Sequence, residues 1–173
     1  MHNVRVDQIE SAAKAAETDA SVARVQFDFE GHWRVDDAQT QFGGTVGFPQ
    51  GELVLEADFP PFLGGEGRAP SPLAYCFYGA MCCYGSTFAT QAAMAGVELE
   101  EMHIKLSLET DSRTALGLGE FTPMSKYSFD VQVKSPASDE DVQMVKKLTD
   151  ERCPVIWAMQ NPVPYSTSAS KVA

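Results

Sequence analysis

The spacing of apolar residues changes several times along the chain, and each change marks an element. Residues from about 7 to 17, rich in Ala, Glu and Lys, read as a short amphipathic helix. From Val22 the period falls to two. Ala23, Val25, Phe27 and Phe29 alternate with Arg24, Gln26 and Asp28, which predicts a half-buried strand. Further strands are expected at 45–48 and 53–58, separated by the turn signal Pro49-Gln50-Gly51, so this half of the chain reads as an antiparallel meander.

A loop rich in Pro and Gly follows at 60–70, and then Ser71-Pro72, an N-cap with proline at the first helical position. The helix they open is expected to reach Ala95, with Gly96 as its C-terminal cap. No charged residue lies between Ala69 and Val97, and apolar groups occupy every face, which predicts a helix buried in a core or a dimer interface. Ser86, Thr87, Thr90 and Gln91 interrupt the run and no basic residues flank it, which argues against a membrane span.

Alternation returns at 102–110, with Ile104, Leu106 and Leu108 on one face, and again at 127–133. The connection at 111–125 is long enough to cover a site. Ser138, followed by Asp139 to Asp141, caps a helix expected to reach about Glu151. Cys153-Pro154 starts a short second helix closed near Asn161-Pro162, and 165–169 is read as a final strand. This order of elements predicts an α+β fold, with a helical extension at 1–22 and one domain at 23–170.

Composition narrows the function. The 173 residues are enough for one domain with its own core. With 13 Lys and Arg against 24 Asp and Glu, the net charge of −11 disfavours nucleic acid and anionic membrane surfaces as partners. The acidic N-terminus has no apolar stretch resembling a signal peptide, and Cys76, Cys82 and Cys83 crowd one segment, a poor layout for a secreted disulfide scaffold. A cytoplasmic protein with thiols reduced at rest is expected.

The fourth cysteine, Cys153, follows Arg152 and precedes the start of a helix, a setting that favours a thiolate. Cys83 lies three turns into the uncharged helix, where burial raises a thiol's pKa. Cys76 is two turns earlier on the same face, and Cys82 points about 100° away. Two thiols on different helices are compatible with a sulfenate and disulfide cycle if folding joins them; otherwise buried cysteines serve as small hydrophobic side chains. No metal is expected, since His2, His32 and His103 are scattered and there is no Cys-x-x-Cys. Gly64-Gly65-Glu66-Gly67 lacks the Lys-Ser/Thr end of a phosphate loop and reads as a tight turn. No cofactor is implied.

The segments Asp58-Phe59-Pro60, Leu63 through Gly67, Pro70-Ser71-Pro72-Leu73 and Gly79 through Cys83 together resemble the central motif of the OsmC/Ohr family. In that pattern a proline opens the long helix and a peroxidatic cysteine lies eleven residues later; counting from Pro72 reaches Cys83. Ala95 through Leu99, Cys153-Pro154-Val155 and Asn161-Pro162-Val163-Pro164 resemble later family segments, so the likeness runs from about Ala23 to Ser168.

The resemblance implies an OsmC-like fold, antiparallel sheets around long central helices, in an intertwined homodimer with sites at the subunit interface. It implies a thiol-dependent peroxidase acting on organic hydroperoxides, with Cys83 attacking, Cys153 resolving, and a small thiol or dithiol as reductant. Two positions depart from the family. Its helix-start glutamate is replaced by Leu73, and Gln41 aligns with its arginine. Arg68 is the nearest candidate by sequence to hold Cys83 as a thiolate, Arg34 a weaker one, and Cys76 a candidate accessory thiol. The alternative reading is a binding or thiol-sensing protein with an apolar interface pocket; a third is a structural subunit whose dimer surface is extended by the N-terminal helix.

Overall fold

Backbone groups that leave water must pair, and in the first half of the chain they do so in a short meander. The computed structural model describes residues 1–172. Helix α1 (Val6–Ala16) and a 3-10 turn (Ala20–Ala23) precede strands β1 (Glu30–Trp33), β2 (Phe42–Phe48) and β3 (Gly51–Ala57). The three strands form an antiparallel sheet in the order β1-β2-β3, with Trp33 opposite Phe42 and Phe42 opposite Ala57. A second 3-10 turn (Pro61–Leu63) leads into helix α2 (Pro72–Ala95). Strands β4 (Glu101–Thr110) and β5 (Met124–Lys134) pair as a two-stranded sheet, and helices α3 (Asp139–Arg152) and α4 (Pro154–Gln160) follow.

These elements divide into two compact units. One holds Arg5–Met81 and Ile104–Val131: the meander, the start of α2 and the outer part of the β4-β5 pair. The other holds Met1–Val4, Cys82–His103 and Gln132–Ala173: the rest of α2, α3 and α4.

In the meander unit, a buried carboxylate organises the loop that launches α2. Asp58 Oδ2 accepts the backbone N–H groups of Arg68 (2.9 Å) and Glu66 (3.3 Å), and the residue is only 2% exposed. Arg68 N–H is the main influence holding the Asp58 carboxyl below the usual carboxylate range. Gly64 turns the chain at φ +85°, and a Cβ at Gly65 would collide with the Phe59 backbone. The loop is therefore a tight turn, and it ends where Ser71 Oγ accepts Ala74 N–H to start the helix (3.3 Å).

In the helical unit, the later turns of α2 bury Tyr84, Phe88, Gln91, Ala92 and Ala93. Gly96, at φ +71°, ends the helix, while Val97 N–H returns to Ala92 carbonyl oxygen (2.9 Å). Helix α3 is capped by Ser138 Oγ, which accepts Asp141 N–H, and buries Val145 and Thr149 four residues apart on one face.

Two expectations need correction. The alternating residues 23–29 form no strand: Phe27 and Phe29 are exposed and stack on each other at 6.4 Å, and pairing begins only at Glu30. No partner strand lies beside them, and alternation alone cannot supply ladder bonds. The stretch 165–169 is also irregular, because Ser166, Thr167 and Ser168 offer no apolar face to bury. Within one chain, helix α2 is buried over part of its surface. Leu73, Tyr78 and Met94 stay exposed, since the chain covers only part of an uncharged surface. Among the described residues, no helix is long and apolar enough to cross a membrane.

Phe88 is 1% exposed and lies at the centre of the helical unit's core. Phe88→Ala is expected to cost about 3–5 kcal/mol of folding stability through lost burial and a residual cavity. Urea unfolding should show a lower midpoint with little change in slope.

Candidate active site

Helix α3 has to stop at Cys153, because the next residue is proline and the position before a proline disfavours helical backbone. Cys153 takes an extended conformation (φ −75°, ψ 116°) and serves both helices at once. Its N–H donates to Thr149 carbonyl oxygen (2.9 Å), and its own carbonyl accepts Trp157 N–H (3.0 Å). The side chain, continuing the Val145–Thr149 face, is 0% exposed.

The Cys153 thiol meets Cys83 of α2, with the sulfurs 3.8 Å apart and both thiols free. That is contact without a bond; a disulfide needs about 2.05 Å. Cys83 is half-buried, so the pair has an inner and an outer member. Burial is the main reason the Cys83 thiol is pushed above the ordinary cysteine range, and the neighbouring Cys153 adds to it. Val155 N–H, in the first turn of α4, acts in the opposite direction.

Two side-chain bonds flank the pair. Tyr84, next to Cys83, donates its hydroxyl to Asp150 Oδ1 (2.8 Å), and Lys146 pairs with Asp150 Oδ2 (2.6 Å). Burial first, then the Asp150 bond, push the Tyr84 phenol well above its usual range. Arg152 Nη1 donates to Gln91 Oε1 (2.7 Å), so its charge is directed at α2 and not offered to Cys153 as the sequence setting implies.

The other candidate residues go elsewhere. Arg68 Nη1 donates to the carbonyls of Asp37 (2.7 Å) and Gln39 (3.2 Å), and Arg34 bonds Thr40 and Glu56. Neither guanidinium is among the influences acting on Cys83. A cationic support for the thiolate was expected from Arg68 or Arg34; both instead satisfy carbonyl and carboxylate groups of the meander unit, where Gln41 also bridges Phe59 N–H and Gly64 carbonyl oxygen. Leu73 lines an apolar cleft of about 320 Å³ with Phe59, Phe62, Phe77 and Leu108.

Cys76 is exposed, and seven residues of helix place it about 10 Å along the axis from Cys83. Cys82 is exposed too. Among the described residues, Cys83–Cys153 is the one sulfur–sulfur approach within hydrogen-bonding range. His2 faces the backbone of Val97 and Leu99, His103 approaches Glu101, and His32 lies on β1. No group of His, Cys, Asp or Glu among the described residues forms a metal cluster.

Tyr84, Gln91 and Asp150 escaped the sequence reading. Their signal was present: Tyr84 and Gln91 stand seven residues apart, on one helix face, and Asp150 and Arg152 lie three and one residues before Cys153.

The fold and the paired thiols define an α+β protein with a dithiol site. A profile of OsmC-like proteins matches residues 65–168, more than half of the chain and all four cysteines, and the chain belongs to that family. Its fold is similar to an OsmC-like protein from Mycoplasma pneumoniae (TM-score 0.60, 15% identity, covering 80% of this chain and 89% of that one). It is also similar to a Legionella pneumophila protein described as an organic hydroperoxide resistance protein OsmC (TM-score 0.52, 18% identity, 79% and 92% covered). An OsmC-like protein from Vibrio cholerae gives a TM-score of 0.56 at 15% identity, with 78% and 94% covered. No curated protein matches the sequence.

Exposure, together with the raised Cys83 pKa, sets an order of reactivity. In the folded, reduced protein, iodoacetamide is expected to label Cys76 and Cys82 first, Cys83 more slowly and Cys153 last. Cys83 labelling should rise with pH to a midpoint above that of an ordinary thiol, about 8.5. Cys153→Ala should lower that midpoint, as peptide mass mapping across a pH series will record.

Proposed function

We propose that this protein is a thiol-dependent peroxidase that reduces hydroperoxides through Cys83 and Cys153. The observation that carries the reading is the 3.8 Å contact between a half-buried and a fully buried free thiol on separate helices. Family membership and the name of the Legionella pneumophila protein support the chemistry.

In the reaction, the Cys83 thiolate attacks one oxygen of the hydroperoxide. A sulfur–oxygen bond forms, the oxygen–oxygen bond breaks, and the alcohol leaves after taking a proton, so Cys83 loses two electrons and becomes a sulfenic acid. Cys153 then attacks that sulfur, a disulfide forms and water departs. A small thiol or dithiol returns two electrons and restores both cysteines. Because burial holds Cys83 mainly protonated near neutral pH, and no cation opposes this, turnover rises as the medium becomes alkaline. The exposed apolar side chains along α2 support a homodimer in which a second copy covers that face. The chemistry suits a compartment that keeps thiols reduced.

Engagement of Arg34 and Arg68 elsewhere favours a second reading, a non-catalytic binding or thiol-sensing protein. The meander unit offers it an apolar cavity of about 430 Å³ between Trp33, Phe42, Leu55, Phe59 and Tyr75. Stoichiometric cumene hydroperoxide separates the two. The peroxidase reading expects an intramolecular Cys83–Cys153 disulfide, turnover with dithiothreitol that grows between pH 7 and 9, and loss of peroxide consumption in Cys83→Ser. Unchanged consumption in Cys83→Ser, or a disulfide without repeated turnover, would count against it; an apolar ligand retained in native mass spectra would then support the second.

A further inference from the structure

The last turn of α3 is held to α2 at two points, both within three residues before Cys153. Asp150 receives the Tyr84 hydroxyl, and Arg152 reaches Gln91. Tyr84 and Gln91 are both buried and sit two turns apart, nearly superimposed along the α2 axis. Asp150 and Arg152 diverge from the backbone just before the helix breaks, so the two bonds fix both the azimuth and the height of the break relative to α2. Lys146 occupies the second Asp150 oxygen, which keeps the carboxylate turned toward Tyr84.

Packing alone explains burial of this junction but not its register. The Val145–Thr149–Cys153 face is apolar or internally bonded, and Thr149 spends its hydroxyl on Val145 carbonyl oxygen (2.8 Å). Apolar contact is non-directional, so that face constrains the sulfur–sulfur distance less sharply than a hydrogen bond does. The polar contacts are directional, and Tyr84 adjoins Cys83 in sequence, so the first bond locates Cys153 from the residue beside its partner.

We infer that Tyr84, Asp150, Arg152 and Gln91 form a clasp that positions Cys153 for disulfide closure with Cys83. They are positioning residues, acting on Cys153 through the helix that carries it. The inference rests on the thiol-redox reading for its biological use, yet it concerns a property of the pair that exists with any oxidant. Closure in a glutathione buffer exchanges two protein thiols and one oxidised glutathione for the protein disulfide and two reduced glutathiones, so the atoms and electrons balance without a peroxide.

The full chain is equilibrated in glutathione redox buffers and quenched, and the fraction of Cys153 bonded to the α2 peptide is read by mass mapping. Rapid mixing with oxidised glutathione gives the closure rate. Tyr84→Phe, which keeps the ring, and Gln91→Leu are each expected to slow closure about tenfold and to shift the equilibrium toward the thiols. Gln91→Glu, which keeps an acceptor for Arg152, should restore the rate. Circular dichroism and urea midpoints identify folded variants, and the two separate substitutions guard against failure of either. Closure at the parent rate in both Tyr84→Phe and Gln91→Leu would overturn the clasp, as would a Gln91→Glu variant as slow as Gln91→Leu. A parent protein that closes in glutathione but ignores hydroperoxide would refute the peroxidase reading while leaving the clasp standing.

Discussion

The thiol contact depends on a helix that is forced to end inside the core. Pro154 cannot donate a backbone hydrogen bond, and it drives the residue before it out of the helical region. In most contexts such a break sits at the surface, where water takes up the freed groups. Here Thr149 and Trp157 take them up, one from each side, so Cys153 can be fully buried without an unsatisfied amide or carbonyl. The sulfur continues the buried Val145–Thr149 face and is delivered to Cys83 as a packing group would be.

That arrangement explains the opposing pressures on Cys83. Partial burial and the close second thiol both favour the neutral form. An effective nucleophile needs the charged form. The Val155 N–H is the local group that favours charge, and it is outweighed. Where the family pattern implies a glutamate and an arginine beside the cysteine, this chain has Leu73 lining an apolar cleft and Gln41 bonded into the Asp58 loop.

Much of this was legible in the residues, and the failures share a cause. The helix-start signal Ser71-Pro72, the Gly96 stop, the Ser138 cap and the Cys153-Pro154 junction are local chemistry, and the corresponding elements lie where those residues imply. Residues 23–29 failed because a strand is defined by a neighbour, which alternation does not provide. The hydrogen bonds of Arg34 and Arg68 within the meander unit were hidden from the sequence for a similar reason. A guanidinium's partner is set by tertiary geometry, and the carbonyls of Asp37 and Gln39 and the Glu56 carboxylate were nearer. Arg152 was read as an activating neighbour of Cys153, and its direction, toward Gln91, could not be read from adjacency.

The uncharged length of α2 carries two different constraints that a single sequence feature conceals. Around Phe88 the absence of charge is required by burial within the helical unit. Around Tyr78 and Cys82 the side chains are exposed, so burial within the chain does not explain it. Charge on that exposed stretch would be nearly neutral for the folding of one chain, as surface substitutions usually are. Its exclusion is in keeping with the proposed homodimer, in which that face would leave water and an unpaired ion would be costly. Cys83 lies between the buried and the open stretches of the same helix. The proposed chemistry needs that boundary: a reacting sulfur reachable from one side, with its resolving partner sealed on the other.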